Sequence, residues 1–148
     1  MAFCHNFKPR FHEVDRAGII FFGRVFEYAH IAFEEVLFTV FGDWDQLFHT
    51  HSVGLPLVHA ESDFRKPMRQ GDDLTVQTRV IRVGKGSLTF RHDIVDEGGQ
   101  VRAVVRLTHA AIDLKTFSSI PLPEVIVERF DAHGLIEIDE EFANHSPE

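Results

Sequence analysis

"GRVFEYAHIAFEEVLFTVFG", residues 23–42, decides the fold of this 148-residue chain. Phe26, Ala29, Phe33, Val36 and Val40 recur at three- and four-residue steps, the stripe of an amphipathic helix. Ile31, Ala32 and Leu37 widen the stripe, so the helix is expected to be buried over much of its surface. Gly42 is a suitable terminator. On either side the pattern changes. Residues 7–12 read as a short strand, followed by the turn "FHEVDRAGIIFF" (residues 11–22). Residues 43–54 read as a loop with room for a short helical turn. Beyond them the apolar period drops to two, the mark of half-buried strands. Strands are expected over 55–64, 74–83, 87–95 and 100–114. They are separated by the Pro67/Gly71 break, the Gly84-Lys85-Gly86 turn and the Asp96–Gly99 hairpin signal. Tight turns imply mostly antiparallel pairing, and the apolar helix needs one sheet face for burial. The expected class is α+β: a five-stranded antiparallel sheet with one central helix. Residues 1–123 form a single domain in this reading. Residues 124–148 form an acidic C-terminal extension, a short helix or added strand that ends in a partly flexible tail.

The composition narrows the function. Hydrophobic residues make up 44% and charged residues 26%, normal for a soluble domain with a real core. Fifteen Phe against one Trp and one Tyr point to a bulky core, a flat apolar pocket or a subunit interface. The single cysteine, Cys4, excludes an intrachain disulfide and fits a reducing compartment. No apolar run has the length of a secretory leader or a membrane span, so a cytoplasmic location is expected. The formal net charge is −8, and most of it comes from residues 124–148. Residues 65–106 are instead locally basic, which suits a phosphate-bearing ligand or is only a set of solvated strand faces. Ten His residues raise the question of a metal, but no third ligand joins His49 and His51 at a useful spacing, so none is expected. No Ser nucleophile elbow, Cys–His pair or aromatic-basic nucleic-acid pattern is present. "GKG" lacks the context of a dinucleotide fingerprint.

The order strand, "D-x-A-G-I-I-F-F" (residues 15–22), apolar helix, then "P-M-R-Q-G-D" (residues 67–72) ahead of an alternating strand resembles the hotdog-fold acyl-CoA thioesterases. It is most similar to the 4-hydroxybenzoyl-CoA thioesterase group, and "LPLVHAESDFRKPMRQGDDL" also looks like the 1,4-dihydroxy-2-naphthoyl-CoA hydrolases. The resemblance spans residues 7–122; Arg16 and the pair Val25-Phe26 depart from its pattern. It implies a sheet wrapped around one long helix, dimers made by joining two sheets, often paired again into homotetramers, and active sites at subunit interfaces. It also implies hydrolysis of an acyl-CoA, here expected to be aromatic or medium-sized, to free acid and coenzyme A. Coenzyme A is part of the substrate, and no prosthetic group, nucleic acid or membrane partner is implied.

Hydrolysis of a thioester needs a nucleophile or an activated water, plus donors for the oxyanion. By resemblance Asp15 is that nucleophile or base; read from the residues alone, it forms an Asx-turn ahead of Gly18. The Phe22 N–H matches the family's oxyanion donor, with the Gly23 N–H beside it, and helix starts carry such free groups. Gly18 would let the chain bend close to the substrate. His30 matches a helix position that meets the acyl ring, or is a helix histidine satisfied by Glu34. Glu34 and Glu35 are reserve carboxylates. His59 lines the acyl pocket or is a satisfied core histidine. Lys85, with Arg82 near it, matches a cation that meets coenzyme A phosphates, or is solvated. A hotdog hydratase would place His where Ile20 stands. A non-catalytic acyl-ligand binder or assembly module on the same fold is the reading from another class.

Overall fold

The computed structural model describes residues 1–43, 49 and 51–145. Five strands form one antiparallel sheet in the order β1-β4-β5-β6-β3: β1 (Phe3–Phe7), β3 (Leu57–Phe64), β4 (Leu74–Val83), β5 (Ser87–Asp96) and β6 (Val101–Ala110). The first strand lies earlier than the expected 7–12. It pairs Phe3 with Thr78 through Phe7 with Leu74. Pro9, which has no N–H to donate, then gives way to a 3-10 turn at Phe11–Glu13. Only Asp43, His49 and residues 51–54 of the expected loop 43–54 are described; Val53–Gly54 form β2. The single long strand expected over 100–114 is split. Ala110 ends the pairing with β5 opposite Ser87, and Ile112–Asp113 (β7) turn aside to pair with β2 in a separate small sheet.

The helix α1 (Arg24–Phe41) ends where expected. Gly42 takes φ 82, and its N–H donates to the Phe38 carbonyl at 2.8 Å, a left-handed cap open to glycine at little cost. One end of α1 buries Val25, Ala29 and Ala32 against Val76, Ile94, Val105 and Leu107. The other buries Phe33, Val36, Leu37 and Val40 against Val80, Leu88 and Phe90. Ile31 does not join the buried stripe; it and Phe38 are exposed.

Residues 124–142 pack against the rest of the domain. α2 (Glu124–Ala132) places Ile126 and Phe130 in the core, and the Phe130 ring meets Phe41 and Phe90 edge-on. Residues 135–139 then run beside β4 where β1 no longer covers it. The Val80 N–H donates to the Leu135 carbonyl and the Glu137 N–H to the Val80 carbonyl, both at 2.8 Å. A last short helix, α3 (Glu140–His145), follows, with Phe142 beneath the Arg106 guanidinium. Among the described residues no helix is long and apolar enough to cross a membrane.

Candidate active site

The turn ahead of α1 is a small closed hairpin. Val14 bridges Ile20, the Asp15 N–H donates to the Ile19 carbonyl at 2.7 Å, and the Gly18 N–H donates to the Asp15 carbonyl at 3.0 Å. Asp15 Oδ1 accepts the Ala17 N–H at 2.8 Å, so the carboxylate does form the Asx-turn. Gly18 sits at φ +81, the left-handed conformation that glycine adopts freely. The turn is tied to the loop between β3 and β4: the Ile20 N–H donates to the Met68 carbonyl at 2.8 Å, and Ile19 bridges Arg69. The two sequence motifs, fifty residues apart, thus meet as neighbouring backbone.

Between them opens a cleft of about 490 Å3. Its apolar walls are Ile19, Ile20, Phe21, Phe22, Phe64, Pro67 and Met68; its polar groups are Asp15, Arg65 and Lys66. Asp15, Phe21 and Phe22 are all exposed. At the start of α1 the Phe21 N–H donates to the Glu13 carbonyl at 2.9 Å and the Arg24 N–H to the Phe21 carbonyl at 2.9 Å. The N–H groups of Phe22 and Gly23, between these, have no acceptor among the described residues. A Cβ on Gly23 would come within 3.1 Å of the Phe21 ring, so a side chain there would push on the cleft wall. The arrangement combines an ionisable carboxylate, two backbone donors at the positive end of an 18-residue helix and aromatic walls. It can bind a flat apolar group and stabilise negative charge on an oxygen next to it.

The other sequence candidates lie elsewhere. His30 is on the exposed side of α1, 3.0 Å from Glu34. His59 is not a core residue. A register shift between Leu57 and His59 breaks the alternation of β3, and the ring lies at the sheet edge, 3.3 Å from Glu61. Arg82 is 5% exposed and donates to Ser87 Oγ. Lys85 is exposed in the β4–β5 turn. The ten residues of β4 span about 30 Å, so this turn and the cleft lie at opposite ends of the strand. Arg65 and Lys66 are the cleft groups that sequence reasoning missed. Their signal was the pair of cations directly before Pro67, where strand pairing stops and side chains are released to the rim.

Core histidines account for polar groups that could be mistaken for a site. His92 and His109 are buried, with burial the main cause of pKa values pushed down to about 3 and about 4. His92 Nδ1 lies 2.7 Å from Thr78 Oγ1. His109 stacks on Phe33 at 4.1 Å between ring centroids, and its Nδ1–H donates to the Leu55 carbonyl at 2.9 Å.

The family model of the thioesterase-like superfamily matches residues 9–130. This chain belongs to that superfamily. It is 33% identical over 140 residues to a 1,4-dihydroxy-2-naphthoyl-CoA hydrolase of Nostoc punctiforme, covering 90% of this chain and 93% of the relative. A thioesterase superfamily protein of Jannaschia superposes with a TM-score of 0.78 at 28% identity, over 88% of this chain and 92% of that one. A 1,4-dihydroxy-2-naphthoyl-CoA thioesterase of Synechocystis has the same TM-score at 24% identity, over 88% and 96%, a likeness of fold. The superfamily match takes in the Asp15 turn, α1, the 65–73 loop and β3 to β6, and runs on to the buried Phe130.

Proposed function

We propose that this protein hydrolyses an aromatic acyl-CoA thioester to the free acid and coenzyme A, with Asp15 as nucleophile or general base and the Phe22 and Gly23 N–H groups as the oxyanion site. Membership of the superfamily and the curated relatives make the chain a CoA thioester hydrolase. The aromatic acyl group and the residue roles belong to the proposal. One observation carries it: Asp15 and Phe22 share a cleft walled by phenyl rings, and the N–H groups of Phe22 and the adjoining Gly23 have no acceptor among the described residues. The names of the relatives support the ring.

In this reading the thioester carbon lies between Asp15 and the start of α1. Either an Asp15 oxygen attacks it, the thiolate leaves and water opens the mixed anhydride, or Asp15 takes a proton from the attacking water. Negative charge gathers on the carbonyl oxygen and is met by the two N–H groups and the helix dipole. Coenzyme A is substrate, and no other group enters. A second copy is proposed to pair along the open edge of β3, where Leu57, Val58 and Phe64 are exposed, and against Ile31 and Phe38 of α1. The sheet curled around a central helix, and dimers or dimers of dimers, belong to this hotdog reading. His30, His59 or Lys85 would meet the cleft only from such a copy.

The decisive test is thiol release from a panel of aromatic and aliphatic acyl-CoAs, with Asp15→Asn beside the wild type. The variant should fold normally and lose at least about 100-fold in kcat. Full activity in the variant would remove Asp15 from the chemistry. A wild type that binds the panel but releases no thiol would make the chain an acyl-ligand binder.

A further inference from the structure

Charge is distributed unevenly around the cleft. Lys8, Arg24, Arg79, Arg91, Arg102 and Arg106 each lie within 4 Å of a carboxylate, and Arg82, Lys85 and Arg129 also have partners. The exposed Lys and Arg side chains with no carboxylate partner among the described residues are Arg10, Arg16, Arg65, Lys66, Arg69 and Lys115. Four of the six, Arg16, Arg65, Lys66 and Arg69, lie in or directly beside the two segments that frame the cleft, while Arg10 lines a separate pocket with Gln70 and Gly71. Arg16 follows Asp15 in the turn, and Arg65 and Lys66 line the cleft. Arg69 bridges Ile19. Arg10 lies one residue past Pro9, whose carbonyl accepts the Gly71 N–H. In a chain of net charge −8, unneutralised cations thus gather at the mouth of the cleft that holds the carboxylate.

From this we infer that Arg65 and Lys66, in the same chain as Asp15, bind the phosphate groups of the coenzyme A end of the substrate, with Arg16 and Arg69 adding to the attracting field. The inference rests on the thioesterase reading. Fixing both cations is within reach of the fold: the Arg65 and Lys66 N–H groups both donate to the Arg102 carbonyl, at 2.8 and 3.0 Å. Their backbone is therefore anchored to β6 while their side chains stay in water. Exposed cations at a rim cost little desolvation when free and form charge-assisted hydrogen bonds when a phosphate arrives. A collar of one sign also raises the encounter rate with a polyanion.

The experiment compares wild type, the double variant Arg65→Gln/Lys66→Gln, Lys85→Gln and Lys115→Gln. The substrates are 4-hydroxybenzoyl-CoA and its N-acetylcysteamine thioester, which has the same reacting group and no phosphate. The double variant should raise KM for the CoA thioester by about tenfold or more with kcat changed far less. Its kcat/KM should lose much of its dependence on ionic strength. The phosphate-free thioester should lose less than about threefold. Lys115→Gln should match the wild type. An equal loss on both thioesters, or a KM rise carried by Lys85→Gln instead, overturns the inference. If neither thioester is hydrolysed, the thioesterase reading is at fault and calorimetry still decides on the cations. Adenosine 3′,5′-bisphosphate should bind the wild type and bind the double variant about tenfold more weakly; equal binding, or none to the wild type, overturns the inference.

Discussion

The core histidines and the cleft residues are both polar groups placed among phenyl rings, and water separates their fates. His92 and His109 lie beside Phe90 and Phe33 with 0% and 2% of their surface exposed. No carboxylate offsets the loss of hydration there, so both rings are held neutral. Asp15, Arg65 and Lys66 share a cleft with Phe21, Phe22 and Phe64, and all three are exposed. Between these extremes is the outer face of the sheet. Arg79, Arg91 and Arg106 stand directly opposite one another on β4, β5 and β6. Each is mostly covered and each meets a carboxylate. Burial without a carboxylate keeps a base uncharged, burial with one pairs its charge, and exposure beside an apolar wall leaves a group available for work.

Acid should break the core side of this contrast first and with the largest effect. The unfolded histidines take up protons below their ordinary pKa of 6.5, while the folded ones resist down to about 4 for His109 and about 3 for His92. Because the unfolded state then binds more protons, stability is full above pH 6.5 and falls as the pH drops towards 4. The slope should reach about 3 kcal/mol per pH unit when both contribute. Urea titrations at pH 7, 6 and 5 measure it. A flat profile would refute the neutral-core account, and His109→Phe should remove about half the slope.

The sheet face should come next. Asp93 Oδ2 accepts from Arg79 at 3.2 Å and Oδ1 from Arg91 at 2.8 Å. Asp93→Ala leaves two facing cations and should cost about 2 kcal/mol, read as a lower urea midpoint with activity per folded molecule intact. Unchanged stability would mean that solvent already screens the pair.

The smallest stability effect, with the larger functional one, belongs to the cleft turn. A Cβ at Gly18 would have no neighbour within 4 Å, so Gly18→Ala meets only the cost of φ +81, about 1 kcal/mol. Thioester hydrolysis should fall more steeply than stability, because the same turn aims Asp15. Equal, small losses in both would mean that the turn only closes the chain.

Much of this was legible because it is local. The period of residues 23–42 gave α1 to within a residue of its ends, since the stripe and the Gly42 cap are properties of neighbouring residues. β4 and the two turns after it were read the same way. The Asp15 turn was legible as a turn from Asp and Gly alone. Other elements depended on distant partners. β1 could not be placed, because its five residues are strand only by pairing with β4. The break at Ala111 depends on β2, and the burial of α2 depends on a pocket made by Phe41 and Phe90. The core reading of His59 failed because alternation predicts a face only where the register is unbroken.

By itself the sequence determined the periodicities, the turn chemistry, the net charge and the presence of one carboxylate in an apolar setting, because propensity and side-chain period act within a few residues. Only the tertiary structure decided which of its cations share a cleft with that carboxylate. Arg65 and Lys66 reach the cleft, while Arg82 and Lys85 are carried to the far end of β4, because hydrogen bonds between residues 19–20 and 68–69 set the distance and sequence separation does not.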